Sequence, residues 1–415
     1  MGSGIWAWMP EWKPFIDRND GLGGKCMKYD FDKVVDRHGT NCLKYDFAIE
    51  RGKPADILPL WVADMDFLAL PEIKQSIHDY ADYGVYVYAY VEEDLIKSIQ
   101  NWEKNQHQYD FSKEALILVE GVVPGIGLAI QALTKENDAV LINTPVYPPF
   151  ARTVKLNNRK LIENKLMEKN WEFLIDFEVF EKEIVENSVK LYILCNPHNP
   201  GGRVWTKEEL IKLGQICKKH NVIVVSDEIH QDLTLFGHQH QTFNTLSEDF
   251  KDFSVVLSSA TKSFNIAGVK CAYAIIENQD LREKYLQRRL ANNQQEISTL
   301  GMLATKVAYE NGSEWLNELK NVLEKNITYI ESELHQKTKI KVMKPQGTYL
   351  IWLDFSEYQL EDKVLDEKLA EEAGVILNKG ISFGKAGQAH ARLNAAAPFS
   401  LTEEASKRLV ETFKI

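Results

Sequence analysis

The sequence predicts an α/β protein: a large domain built on a mainly parallel sheet flanked by helices, joined to a smaller α+β domain. Three observations carry that expectation. At 415 residues the chain exceeds a single typical core. From about residue 115, short β-branched runs alternate with segments of helical periodicity, which is the pattern of a sheet covered by helices. From about residue 300 the pattern changes to long helical stretches that lead to GTYLIWLDF at 347–355 and to a last helix ending near Lys414.

The strand candidates are Leu116–Val119, Ala139–Asn143, Leu191–Cys195, Val222–Ser226, Ser254–Ser258 and Cys271–Ile276. Between the third and fourth, Thr206 and Glu209 form a capping box, and Leu210, Ile211, Leu213, Ile216 and Cys217 follow at amphipathic spacing until His220-Asn221. The expected division is an N-terminal extension or tag over 1–26 and a segment over 27–75 that packs with the small domain. The large domain then spans 76–299 and the small C-terminal domain 300–415. No internal repeat or low-complexity tract is evident.

Hydrophobic residues make up 44% and charged residues 26% of the chain, enough apolar material for a large core. A formal charge of −11 argues against nucleic-acid binding, which needs clustered Lys and Arg, and favours a small-molecule partner. The five cysteines are scattered without CxxC or Cys/His ligand spacing, so reduced thiols in the cytoplasm are expected, with no metal. The longest apolar stretch, Ala115 to Leu133, contains Glu120, Pro124 and three glycines and is no membrane span. Residues 1–26 carry Trp6, Trp8 and Trp12 beside Pro10, Pro14 and a GLGG at 21–24, and lack the basic start of a signal peptide.

Four segments sit where such a sheet releases its strands into loops, the place where open α/β folds bind ligands. Glu120-Gly-Val-Val-Pro-Gly-Ile-Gly127 leaves a strand and enters a helix, and glycines at 121 and 125 allow backbone N–H groups to approach an anion; an ordinary strand-helix turn is the alternative. Asn199, between Pro197-His198 and Pro200, presents a rigid amide to a ligand oxygen, or simply makes a turn. Asp227 ends an apolar strand, where a carboxylate needs a cationic partner such as a protonated pyridine nitrogen, unless it caps a helix. Lys262 follows the next strand in a run of small and apolar residues that lowers an amine's pKa and favours Schiff-base chemistry; a solvated surface lysine is the bland reading. Taken in order, these four supply each function that pyridoxal 5'-phosphate needs.

Over nearly all of residues 27–415 the sequence resembles the fold-type I pyridoxal-phosphate enzymes, and within them the cystathionine β-lyases of the MalY/PatB type. The carrying segments are LPLWVADMDF at 58–67, GVVPGI at 121–126, TPVYPPF at 144–150, CNPHNP at 195–200 and GRVW at 202–205. They continue with SDEIHQDL at 226–233, TKSFNIAG at 261–268, GTYLIWLDF and RLNAAAP at 392–398. The resemblance implies a seven-stranded sheet in the large domain. It makes Lys262 the lysine that holds the cofactor and then shuttles the proton, with Asp227 on the pyridine nitrogen, Asn199 on the ring hydroxyl and Tyr147 stacked on the ring. Val122, Val123, Ser259 and Lys270 bind phosphate in this reading, and His230 joins the cofactor set. Arg392 clamps the substrate carboxylate, near Trp61 and Ala63. Tyr88 reaches the phosphate of a neighbouring subunit in a homodimer with shared active sites.

Three departures from that family are visible. GVYVYAYVEED at 84–94 lacks the usual Gly-Tyr-Thr/Ser, which leaves the register of Tyr88 open by two residues. His390-Ala391 stand where an aromatic pair is expected, and Gly201-Gly202 where Val-Gly is more usual. The implied reaction is α,β-elimination on a small sulfur-containing amino acid, giving thiol, pyruvate and ammonia, within methionine biosynthesis. The rival readings are a class I/II aminotransferase, and a regulatory binding protein on the same fold that uses its Trp-rich N-terminus.

Overall fold

The computed structural model describes residues 27–415 except Arg51 and Ala55, so the expectation of a tag or extension over 1–26 lies outside the described residues. The large sheet has seven strands: β1 (Leu116–Val119), β2 (Ala139–Thr144), β3 (Lys160–Lys165), β4 (Val189–Cys195), β5 (Ile223–Asp227), β6 (Ser254–Ser258) and β7 (Ala272–Ile275). Their spatial order is β1-β7-β6-β5-β4-β2-β3. All run parallel except β7, which pairs antiparallel with both β1 and β6. Every residue of β2 and β6 is buried, as expected of central strands covered on both faces.

Two features of this sheet go beyond the sequence reading. β3 was absent from the candidates because KLIENK is an edge strand of alternating polarity, with Lys160, Glu163 and Lys165 exposed. The reversal of β7 follows from its connection: the chain leaves β6, makes only the short helix Ala260–Ser263 and the turn Ala267–Val269, and has no long crossover helix to carry it back. The capping box forms as read, with Glu209 N donating to Thr206 Oγ1 (3.2 Å) and Thr206 N donating to Glu209 Oε2 (2.8 Å) at the start of helix Lys207–Lys219.

A smaller sheet of β8 (Lys341–Met343), β9 (Leu350–Asp354), β10 (Asn378–Lys379) and β11 (His390–Asn394) is wholly antiparallel, in the order β8-β9-β11-β10. Helices Ser313–Lys337 and Phe399–Phe413 pack against each other beside it. Residues Leu58–Pro59 pair in parallel with Val375–Ile376, and Asn394 Nδ2 donates to the carbonyls of Val62 (2.7 Å) and Asp64 (2.6 Å). The segment after residue 57 is thereby tied to the small sheet and laid across the open ends of β4, β5 and β6. Among the described residues no helix is long and apolar enough to cross a membrane.

Candidate functional site

A cavity of about 480 Å³ opens at the carboxyl ends of the parallel strands, the position that strand polarity dictates in an α/β sheet. Of the residues singled out from sequence, Ala63, Val122, Val123, Tyr147, Asn199, Asp227, His230, Lys262 and Lys270 line it together. Gly121 precedes helix Val122–Leu133, whose first amides face no intrahelical carbonyl and are free for an anion. Gly125 has a different purpose from the one read in the sequence. A Cβ there would lie 2.7 Å from Leu257 Cδ2, so this glycine lets the helix seat closely on β6 and does not line the cavity.

Asp227 closes β5, and its Oδ1 accepts from Ile229 N at 3.1 Å, so it does cap the following turn. It is also buried, with no ion-pair partner among the described residues. Burial raises its pKa to about 7, with Glu228 adding to the shift while the Ile229 amide and Lys262 oppose it. Lys262 lies in the short helix Ala260–Ser263, which Ser259 caps by accepting from Thr261 N. Its Nζ donates to the carbonyl of Ala63 at 2.5 Å. Burial lowers its pKa to about 8, with the Arg392 charge adding and Asp64 and Asp227 opposing.

Arg392, on β11, is buried 3% exposed and holds three neutral oxygens: Asn199 Oδ1 at 2.8 Å, the Trp61 carbonyl at 3.0 Å and Asn378 Oδ1 at 2.5 Å. It has no carboxylate partner among the described residues, its Nε lacks any acceptor, and burial lowers its pKa to about 10. Through Asn199 it stands directly behind the cavity wall, with Trp61 beside it. His230 is buried, its Nδ1 has no partner, and burial together with Lys262 and Arg392 holds its ring neutral. Tyr147 lines the wall with its phenol pKa raised, chiefly by burial.

Besides Arg392 and Trp61, two more expected residues lie outside the lining. Ser259 sits behind the wall, its Oγ donating to the Cys271 carbonyl at 2.6 Å. Tyr88 is 92% exposed, in a stretch from Val85 to Val91 without regular structure, and does not reach the cavity of its own chain. His390, one of the departures, stacks on Trp352 with ring centroids 5.1 Å apart and does not line the cavity. Sequence reasoning missed Asn378, which holds Arg392, and the Tyr349 role of donating its hydroxyl to the Ala63 carbonyl at 2.9 Å. Neither carries a local signal, because both reach the site through the small sheet.

The sequence pattern of the family described as aminotransferase class I and II matches residues 55–413. Cystathionine beta-lyase PatB of Bacillus subtilis is 39% identical over 380 residues, 91% of this chain and 98% of that protein. Protein MalY of Escherichia coli is 31% identical over 389 residues, 93% of this chain and 99% of that one. Among solved structures, cystalysin from Treponema denticola, which contains a pyridoxal 5'-phosphate cofactor, superposes with a TM-score of 0.90 at 35% identity, covering 93% of this chain and 99% of that one. The PLP-bound C-S lyase from Staphylococcus hominis superposes with a TM-score of 0.88 at 29% identity, covering 94% and 100%.

Proposed function

This chain belongs to the aminotransferase class I and II family, and from that premise we propose how its cavity serves as the active site of a pyridoxal-phosphate-dependent carbon–sulfur β-lyase acting on L-cystathionine or related cysteine S-conjugates. The enzyme splits such a substrate, with water, into a thiol, pyruvate and ammonia. The observation that carries the reading is the charge of the cavity. Lys262, half-buried, and Asp227, buried, line one space, the buried Arg392 stands behind its wall through Asn199, and none has a side-chain counterion within ion-pair distance among the described residues. Buried charge without a partner is costly, so such a set is kept where a ligand completes it.

The donor set fits the cofactor. Asp227 is the carboxylate for a pyridine nitrogen, Asn199 has an amide NH2 left over for the ring hydroxyl, and Tyr147 and His230 flank the ring. Val122 N, Val123 N and Lys270 offer hydrogen bonds to the phosphate, with Ser259 behind them. Bound there, pyridoxal phosphate supplies an electrophilic carbonyl carbon and an electron sink for charge at the substrate Cα. Lys262, with its pKa lowered to about 8, is partly uncharged near neutral pH, and its Nζ takes the Cα proton. Arg392, held in place by Asn199, Asn378 and Trp61 and with Nε still unpartnered, supplies a preplaced positive charge for the α-carboxylate. The thiolate then leaves from Cβ.

The proposal extends to a homodimer of the cytoplasm. Tyr83, Val85, Tyr86, Val87, Tyr88 and Tyr90 are all exposed in one stretch, an apolar patch of the kind that a second copy covers. In that assembly Tyr88 serves the neighbour's phosphate, and 27–75, 76–299 and 300–415 act as N-terminal segment, large domain and small domain. Incubation of the purified enzyme with L-cystathionine, following thiol and pyruvate, tests the reading. Stoichiometric release of both is expected. Amino transfer that depends on a 2-oxo acid, with no thiol formed, would overturn it in favour of an aminotransferase.

A further inference from the structure

Lys262 Nζ does not hold the Ala63 carbonyl alone. The hydroxyl of Tyr349 donates to the same oxygen at 2.9 Å, beside the 2.5 Å bond from Lys262. Tyr349 is fully buried one residue before β9, its ring set across that of His230 at 6.0 Å between centroids. The residue before it, Thr348, has φ +70°, a conformation that a β-branched side chain rarely adopts. Thr348 N donates to the Leu233 carbonyl (2.7 Å) and Leu350 N donates to Thr348 Oγ1 (3.1 Å), which together hold it there. Backbone strain of this kind persists where the surroundings enforce it, and it clusters at functional sites.

The simplest duty for the phenol would be to tether the loop that carries Ala63. That loop is already tied down at the carbonyls on both sides. Arg392 holds the Trp61 carbonyl (3.0 Å), Asn394 holds those of Val62 (2.7 Å) and Asp64 (2.6 Å), and Asn265 holds those of Met65 (3.0 Å) and Phe67 (2.9 Å). The Ala63 carbonyl has a donor of its own in Lys262, so the effect of a second donor falls on that lysine. A carbonyl oxygen has two lone pairs and can accept both bonds. The hydroxyl proton nevertheless brings positive charge to the oxygen that Lys262 faces, which disfavours an ammonium there more than a neutral amine.

The charged groups acting on Lys262 come from several elements. Asp64 and Asp227 favour its ammonium, Arg392 and Lys270 disfavour it, and the neutral His230 and the phenol of Tyr147 share the cavity wall with it. Tyr349 adds to that balance a dipole with the sign of the two cations. We infer that Tyr349 is a positioning residue for Lys262: by sharing the Ala63 carbonyl, it limits the hold of that oxygen on the ammonium and favours the neutral amine. The inference rests on the proposed reading of Lys262 as the amine that carries the cofactor and takes the Cα proton.

Tyr349→Phe removes the hydroxyl and keeps the ring. The cofactor is stripped from the full chain, saturating pyridoxal 5'-phosphate is added back at a series of pH values, and borohydride quenching reads how fast it becomes fixed to the peptide containing Lys262. In the native chain the rate should rise with pH as the amine loses its proton. In Tyr349→Phe that limb should move up by about 0.5 to 1 pH unit, a fraction of the strength of one hydrogen bond to a charged group. The acid limb of kcat for L-cystathionine should move the same way, with KM little changed. Tyr358→Phe removes a half-buried phenol that donates to the Phe413 carbonyl (2.5 Å) and does not line the cavity, and it should leave both limbs in place. A Tyr349→Phe limb at the native pH or below it, or an equal shift in Tyr358→Phe, overturns the inference and leaves the lyase reading standing. A native chain that fixes no cofactor at any pH overturns the lyase reading itself, and this inference with it.

Discussion

Two groups of buried charge lie on either side of Ala63, and they are handled in opposite ways. In the N-terminal segment, Lys44 Nζ sits 2.6 Å from Asp66 and 3.7 Å from Asp64, while Arg37 sits 2.8 Å from Asp64 and 2.6 Å from Asp66. Two cations meet two carboxylates, and nothing is left over. Around the cavity, Asp227 and Arg392 are buried and Lys262 half-buried, and among the described residues none meets an opposite charge within ion-pair distance. The first arrangement fixes a loop; the second, in the proposed function, holds places for a cofactor and a substrate. Burial of charge alone therefore does not single out the proposed site; the missing partner does.

The contrast can be broken or sharpened by experiment. The largest expected effect belongs to the open group: Arg392→Ala removes the cation proposed to pair with substrate, and kcat/KM for L-cystathionine should fall by about 10²- to 10³-fold, much of it in KM. A variant with unchanged KM would contradict the assignment. In the closed group, Lys44→Met strands part of the negative charge of Asp64 and Asp66, and urea unfolding should show a loss of about 3–5 kcal/mol. If that variant instead lost turnover at unchanged stability, the loop would be more than structural.

A pH experiment separates the groups further. In the cofactor-free protein the folded pKa of Asp227 is about 7, above its ordinary 3.8, so between these values the folded chain binds more protons than the unfolded one. The stability that Asp227 contributes is complete below about pH 4 and is lost as pH rises through 7. Asp227→Asn should remove this downward slope from the pH-stability profile, and an unaltered slope would place its origin elsewhere. The smallest effect is expected at the surface, where Lys28 pairs with Glu314 at 2.8 Å with side chains 57% and 61% exposed. Lys28→Ala should leave the unfolding midpoint within experimental scatter.

The parts of the molecule that were legible in the sequence share a physical reason. The runs containing VIVVS and SVVLS read as strands because both of their faces are buried and every position is apolar or small. Asn199, Asp227 and Lys262 were legible as a set because each follows such a strand, and strand ends converge in a parallel sheet. β3 was hidden by its polar alternation, and the direction of β7 leaves no trace in residue pattern. Asn378 and Tyr349 were hidden because the small sheet delivers them from more than 80 positions beyond Lys262. Gly125 was misread because a glycine needed for close packing and one needed for an anion look the same until the neighbouring Leu257 is placed.

The central claim is that Lys262 carries the cofactor covalently. The most direct measurement is the absorption spectrum of the purified enzyme before and after borohydride, for the native chain and for Lys262→Ala. The native enzyme is expected to show a visible band that borohydride bleaches, leaving the cofactor fixed to the peptide that contains Lys262, and Lys262→Ala is expected to show neither the fixation nor turnover. A Lys262→Ala protein that kept borohydride-fixed cofactor would contradict the account.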